Sequence, residues 1–198
     1  MILLDRDAFD YVPYYCEENV WRLLSRKELA GLPAWAVLVS TPARDVILLR
    51  QRAGRPVDGL VHWDYHVFAL VDDRTEGLFV LDLDTDLPFP CSAPRYLDEA
   101  FRHDKAAARA ALYFRMIPSP EYRALLVSDR SHMRRPDGTW IAPPPSWPRP
   151  GNGSNRPNVI LPWTDMSRRE PGRVLDAASF AELAAERERL ARRLKEAR

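Results

Sequence analysis

Apolar and polar positions along the chain mark out a short series of elements. Tyr11 to Tyr15 is aromatic and interrupted by Pro13, which predicts an extended approach. A helix is predicted to start near Cys16. Glu17 and Glu18 fall in its first turn, where carboxylates complement the helix dipole. Val20, Leu23 and Leu24 recur at helical spacing, and Gly31 and Pro33 mark the stop. Strand-like runs follow at Ala34 to Ser40, Val46 to Leu49, Leu60 to Val71 and Leu78 to Leu83. The polar stretch from Asp72 to Gly77 reads as a hairpin loop between the last two runs. Tyr96 to Ala111 reads as helix, Leu112 to Ile117 as strand, and Pro120 to Val127 as a short helix.

The pattern changes after Pro136. Eight of the 18 prolines fall between 143 and 171, so regular structure is not expected there. Trp147, Val159, Ile160, Leu161 and Trp163 lie in the same stretch, which predicts that residues 136–171 wrap the core. A last helix is expected over 176–198, with Asp176 as N-cap and a solvated tail rich in Arg and Glu. Residues 1–198 are read as one α/β (α+β) domain, a largely antiparallel sheet flanked by helices.

Composition narrows the function classes. Lys plus Arg (29) nearly balance Asp plus Glu (28), so charge gives no reason to expect nucleic acid or an anionic membrane as partner. No apolar run approaches the ~20 residues that span a bilayer, and the first residues lack the form of a signal peptide. A cytoplasmic monomer is the expectation. The two cysteines, Cys16 and Cys91, cannot build a disulfide framework.

One cysteine has a place suited to chemistry. Only the thiolate attacks, and a helix N-terminus lowers thiol pKa while its N–H groups can hold an oxyanion. Cys16 at a helix start fits that role; the plainer alternative is a buried small hydrophobe. For an orienting pair, a hairpin centred on Arg74 would set His66 directly opposite Asp82 on one sheet face. A carboxylate there would fix the imidazole tautomer. Asp64 and Asp84 share that face and are alternative partners. Trp63 and Tyr65 alternate onto the other face and are expected in the core. Cys91 is expected to be structural, His62 and His132 are given no role, and His103 is expected to be exposed. No histidine pair has metal-ligand spacing, so no metal is expected.

Trp63-Asp64-Tyr65-His66-Val67 resembles the WDYHV signature of the protein N-terminal glutamine amidohydrolases. Tyr15 to Asn19, Asp82 to Thr85 with Leu87 to Cys91, Ser128 to Met133, and Pro143 to Pro145 resemble further blocks of that family, in its order. The resemblance covers most of residues 11–150 and is weak beyond Pro150. It implies a Cys16, His66 and Asp82 triad in a site of papain or transglutaminase type, with no cofactor. It also implies hydrolysis of N-terminal glutamine to glutamate with release of ammonia, the family's product being a substrate for arginylation in the N-degron pathway. The substrate's α-ammonium needs an acceptor; Glu17, Glu18, Asp64 and Asp84 are the candidates. Two rivals stand beside this reading: a deamidase of an internal glutamine in one target protein, and a non-catalytic binder of N-terminal glutamine.

Overall fold

The computed structural model describes residues 4–101, 111–152 and 156–197. Among these, the strands β1 (Ala34–Ser40), β4 (His66–Asp73), β5 (Gly77–Leu81), β6 (Cys91–Ser92), β7 (Tyr113–Pro118) and β8 (Arg173–Asp176) form one sheet. Its order is β6-β5-β4-β1-β7-β8, with every neighbouring pair antiparallel. The remaining strands, β2 (Val46–Leu48) and β3 (Val61–Trp63), pair separately. The run from Leu60 to Val71 is therefore two strands in two sheets, split at Asp64 and Tyr65.

Both faces of the main sheet are covered. Val37, Val39, Phe68, Leu70, Val80 and Phe114 point to one side, under α2 (Ala93–Ala100) and the C-terminal helix α5 (Ala177–Glu196), where Phe114 stacks on Phe180 at 4.4 Å. Their alternates Ala36, Leu38, Val67, Ala69, Val71 and Leu81 point to the other side. That side carries α1 (Cys16–Leu23), α3 (Ser119–Leu125) and α4 (Ile160–Thr164), which contribute Leu23, Tyr122 and Trp163. Burial on both faces explains why β1 reads as one unbroken apolar run.

The Pro-rich segment wraps the second face and is fastened from inside. Arg115 of β7 is fully buried, and its guanidinium donates to the carbonyls of Trp163, Asp165, Arg168 and Pro171 at 2.8–3.1 Å. Gly172 then turns the chain at φ +64° against β7, where a Cβ would lie 2.1 Å from the Met116 carbonyl oxygen. This lets β8 pair with β7, a strand too short to announce itself in the sequence. Asp176 caps α5 by accepting from the Ser179 N–H at 2.7 Å, as expected.

Three expectations change. The helix read over 96–111 starts earlier, at Ala93, and α2 ends at Ala100; residues 102–110, with His103, lie outside the described residues. The hairpin is centred on Thr75, because β4 and β5 pair as Asp73↔Gly77 and Ala69↔Leu81. The Asp73 carboxylate sets that turn by accepting from Thr75 N–H, Thr75 Oγ1 and Glu76 N–H. The helical tail is also less free than expected: Arg187 pairs with Asp72, and Lys195 with Glu76. No described helix is long and apolar enough to cross a membrane.

Candidate active site

Cys16 is the first residue of α1, so its N–H has no partner within the helix. The entry to that helix is tightly held. Asn19 accepts from Val12 N–H (3.1 Å) and donates to Val12 O (2.8 Å), and Tyr15 donates from its hydroxyl to Ala142 O (3.1 Å). Tyr14 takes φ 71°, a strained conformation for a bulky residue, and its ring meets Trp63 edge-on at 5.6 Å. Tyr122 of α3 donates to the Glu17 carbonyl at 2.9 Å, docking the first turn of the helix.

His66 opens β4 and lies on the face of Phe68 and Leu70. Its Nε2 is 3.1 Å from Asp82 Oδ2, with both side chains buried. The expected pairing is thus formed by a different route. With the hairpin centred on Thr75, the ladder ends at Leu81, and Asp82 reaches His66 from the bend just beyond it. The shift is two positions, which keeps every side chain on its face. Asp82 is held by further donors: Tyr96 Oη (2.7 Å) and Gln51 Nε2 (3.2 Å) at Oδ2, and Asp84 N–H (2.9 Å) at Oδ1. Burial disfavours its charge, but His66 and these donors outweigh burial and hold the carboxyl below its ordinary range. Burial likewise pulls His66 down, and Asp82, helped by the charges of Asp84 and Glu17, outweighs it, leaving the imidazole above its ordinary value.

Cys16 and His66 share a cleft of about 350 Å³ at the end of the sheet. Cys16 departs from one expectation. Burial, then the charges of Glu17 and Asp84, push its thiol well above the ordinary value, and the Val67 N–H aimed at the sulfur only partly offsets them. The helix N-terminus does not win at this position.

The four acids proposed for the substrate amine separate clearly. Glu18 is buried and accepts Arg130 in a two-pronged pair (2.8 and 2.7 Å) and Trp147 Nε1 (2.9 Å), so it ties the Pro-rich segment to α1. Asp64 sits on the cleft rim, half-exposed and paired with Arg44 at 3.0 Å. Asp84 lines the cleft and accepts from Tyr11 Oη at 2.7 Å; burial and Asp82 push it up to about 6. Glu17 is wholly buried beside Cys16, and burial followed by Glu18 pushes it up to about 7.

Three residues line the cleft although the sequence did not place them there. Tyr65 is buried in the core and Trp63 packs against core side chains, as expected, yet both also border the cleft at the bend of Asp64 and Tyr65. His132 also lines it, 3.6 Å from Glu17 Oε1, delivered by the 3₁₀ turn Ser131–Met133. No spacing rule could reveal this contact across more than a hundred residues. Cys91 is buried in the core at β6, and burial pushes its thiol up to about 11.

His66, Asp82 and Asp84 bring ligand-type atoms within 4.8 Å of one another. Their oxygens already serve Tyr96, Gln51, Tyr11 and a backbone N–H, so a cation would have to displace these donors. The arrangement is suited to proton transfer: Asp82 holds Nε2 and leaves Nδ1 of His66 as the ring nitrogen free to exchange a proton.

Comparison with known proteins bears on the same residues. The family described as N-terminal glutamine amidase matches residues 11–184. A protein N-terminal glutamine amidohydrolase of Drosophila pseudoobscura pseudoobscura is 49% identical over 144 residues, 70% of each chain. One of Drosophila melanogaster is 47% identical over 180 residues, covering 87% of this chain and 86% of the relative. The family match takes in the helix of Cys16, the His66–Asp82 pair and the segment that brings in His132, and the chain belongs to the N-terminal glutamine amidase family.

Proposed function

We propose that this chain hydrolyses the side-chain amide of an N-terminal glutamine, acting as a single amidohydrolase domain with a papain- or transglutaminase-type site. The observation that carries the reading is a cleft lined both by a cysteine at a helix start and by a buried, acid-held histidine. Family membership supplies the substrate class.

The thiol of Cys16 gives its proton to His66 Nδ1, and the sulfur adds to the side-chain carbonyl carbon. The N–H of Cys16, unpaired at the helix start, faces the developing oxyanion. Collapse breaks the C–N bond as His66 returns the proton to the departing ammonia. Water, deprotonated by His66, then cleaves the thioester to glutamate and restores the thiol. Asp82 keeps Nε2 occupied and stabilises the imidazolium in both halves. A cleft of about 350 Å³ suits one residue with its terminus better than a folded target surface.

The test is ammonia release from three peptides: one beginning with glutamine, its N-acetylated form, and one with internal glutamine. Turnover of the first alone supports the reading. Equal turnover of the internal peptide would move the substrate to an internal glutamine, and no release from any of them would favour a binding role.

A further inference from the structure

Three of the four acids around the nucleophile have committed partners: Glu18 with Arg130, Asp64 with Arg44, and Asp84 with Tyr11. Glu17 does not. Among the described residues no Lys or Arg lies within ion-pair distance of it, although its side chain is fully buried. Its Oε2 takes the Tyr65 hydroxyl at 3.4 Å and faces Cys16 Sγ at 3.7 Å. Among the described residues its Oε1 has no hydrogen-bond partner, facing His132 Nε2 at 3.6 Å, and neither ring nitrogen of His132 has one either. The side chains that touch the Glu17 carboxylate, those of Cys16, Tyr65 and His132, all line the cleft.

Buried polar atoms without partners are costly, and here they cluster behind one wall of the cleft. A carboxylate beside a thiol opposes its ionisation, and the opposition is strongest where water is excluded. A cation on the cleft side would remove it. The N-terminal residue of a peptide brings one such cation, its α-ammonium, a few bonds from the amide carbon that Cys16 must reach.

We propose that Glu17 is the residue through which the enzyme reads a free N-terminus. Its uncompensated carboxylate holds the Cys16 thiol protonated in the empty cleft, and the substrate's α-ammonium, seated against the Cys16–Tyr65–His132 wall, lifts that restraint. The thiol proton then moves to His66 Nδ1. Glu17 acts through the nucleophile and is a positioning residue. This rests on the amidase reading and explains how that site selects its substrate.

The titratable groups facing Glu17 are Cys16 and Glu18 on its own helix, Tyr15 just before it, Tyr65 and His66 at the start of β4, Tyr122 of α3, and His132; Arg130 lies near but is taken up by Glu18. Cys16 also feels Asp82 and Asp84. Burial and then the Glu17 charge hold the Cys16 thiol above its ordinary range, while burial and then Glu18 hold Glu17 up to about 7, against which the Cys16 thiol contact works.

The experiment follows iodoacetamide alkylation of Cys16 against pH, read by mass spectrometry, in wild type, Glu17→Gln and Glu17→Asp. It is paired with kcat/KM for the glutamine peptide and its N-acetylated form. The alkylation midpoint of Glu17→Gln is expected to fall by at least about one pH unit. Its preference for the free over the acetylated peptide is expected to shrink about tenfold or more, with Glu17→Asp keeping most of it. Glycinamide brings an α-ammonium without a side chain. It is expected to speed wild-type alkylation about tenfold near neutral pH, with no effect from N-acetylglycinamide. A folded Glu17→Gln protein with the wild-type profile and preference would overturn the proposal. Should that variant not fold, wild-type alkylation that ignores glycinamide would overturn it. Equal turnover of the acetylated peptide by wild type is a different failure: it removes the N-terminal reading itself.

Discussion

Asp82 is a carboxylate with every local donor aimed at it. Replacing it by Asn would turn an amide N–H₂ or a weaker acceptor toward Tyr96, Gln51 and His66. We expect Asp82→Asn to lower kcat about 10³-fold or more, measured by steady-state ammonia release, with KM changed far less. The pH dependence of stability follows from the directions. The depressed Asp82 contributes above the ordinary carboxylate pKa, and this is lost as pH falls through its folded value. The raised His66 contributes below its ordinary pKa, and this is lost as pH rises through its folded value. The gap in melting temperature between wild type and Asp82→Asn should therefore be widest at about pH 4 to 6.5. Glu17 has the opposite sign. Its value, raised from 4.5 to about 7, means that the folded state resists the charge, a cost absent in acid and complete above neutrality. Glu17→Gln should be more stable than wild type at alkaline pH, by on the order of 2 kcal/mol, with the difference closing toward about pH 4.5; chemical denaturation at the two pH values checks this.

Among the elements, α1 is the one whose placement decides the site, and it is held by a buried ion pair rather than by a side-chain cap. Glu18 and Arg130 bind it to the Pro-rich segment, where Arg130 also donates to Pro145 O and Trp147 O at 3.0 Å. Glu18→Gln leaves a buried guanidinium without its counter-charge, a loss of about 3–5 kcal/mol by denaturant unfolding. Limited proteolysis of residues 143–150 should accelerate with it. The sequence placed Glu18 in a helix first turn but could not reveal this pair, since the partner lies 112 residues away. The hairpin teaches the same lesson. Its loop and the apolar runs on either side were legible, and the face parity survived, but His66 meets Asp82 from the bend beyond the ladder and not across it. The turn centre was not legible, because it depends on which residue of a polar loop, here Asp73, captures the backbone N–H groups.

The whole molecule is a sheet buried on both faces, with the cleft where β4 begins. Continuous apolar runs made β1, β5 and β7 readable, whereas β8 depends on the Gly172 turn and the Arg115 anchor. Cys16, His66 and Asp82, the residues proposed for the triad, were singled out in the sequence because motif blocks carried them. The cleft walls were not: Trp63, Tyr65 and His132 enter it through a bend and a distant 3₁₀ turn, which no local period encodes. The central claim, that this cleft is an amidase centre built on Cys16, is tested most directly by ammonia release from a glutamine-initiated peptide with wild-type and Cys16→Ala proteins side by side. Steady release by wild type and none above background from a Cys16→Ala protein of unchanged fold is the predicted result. Release that persists without the thiol would contradict the account.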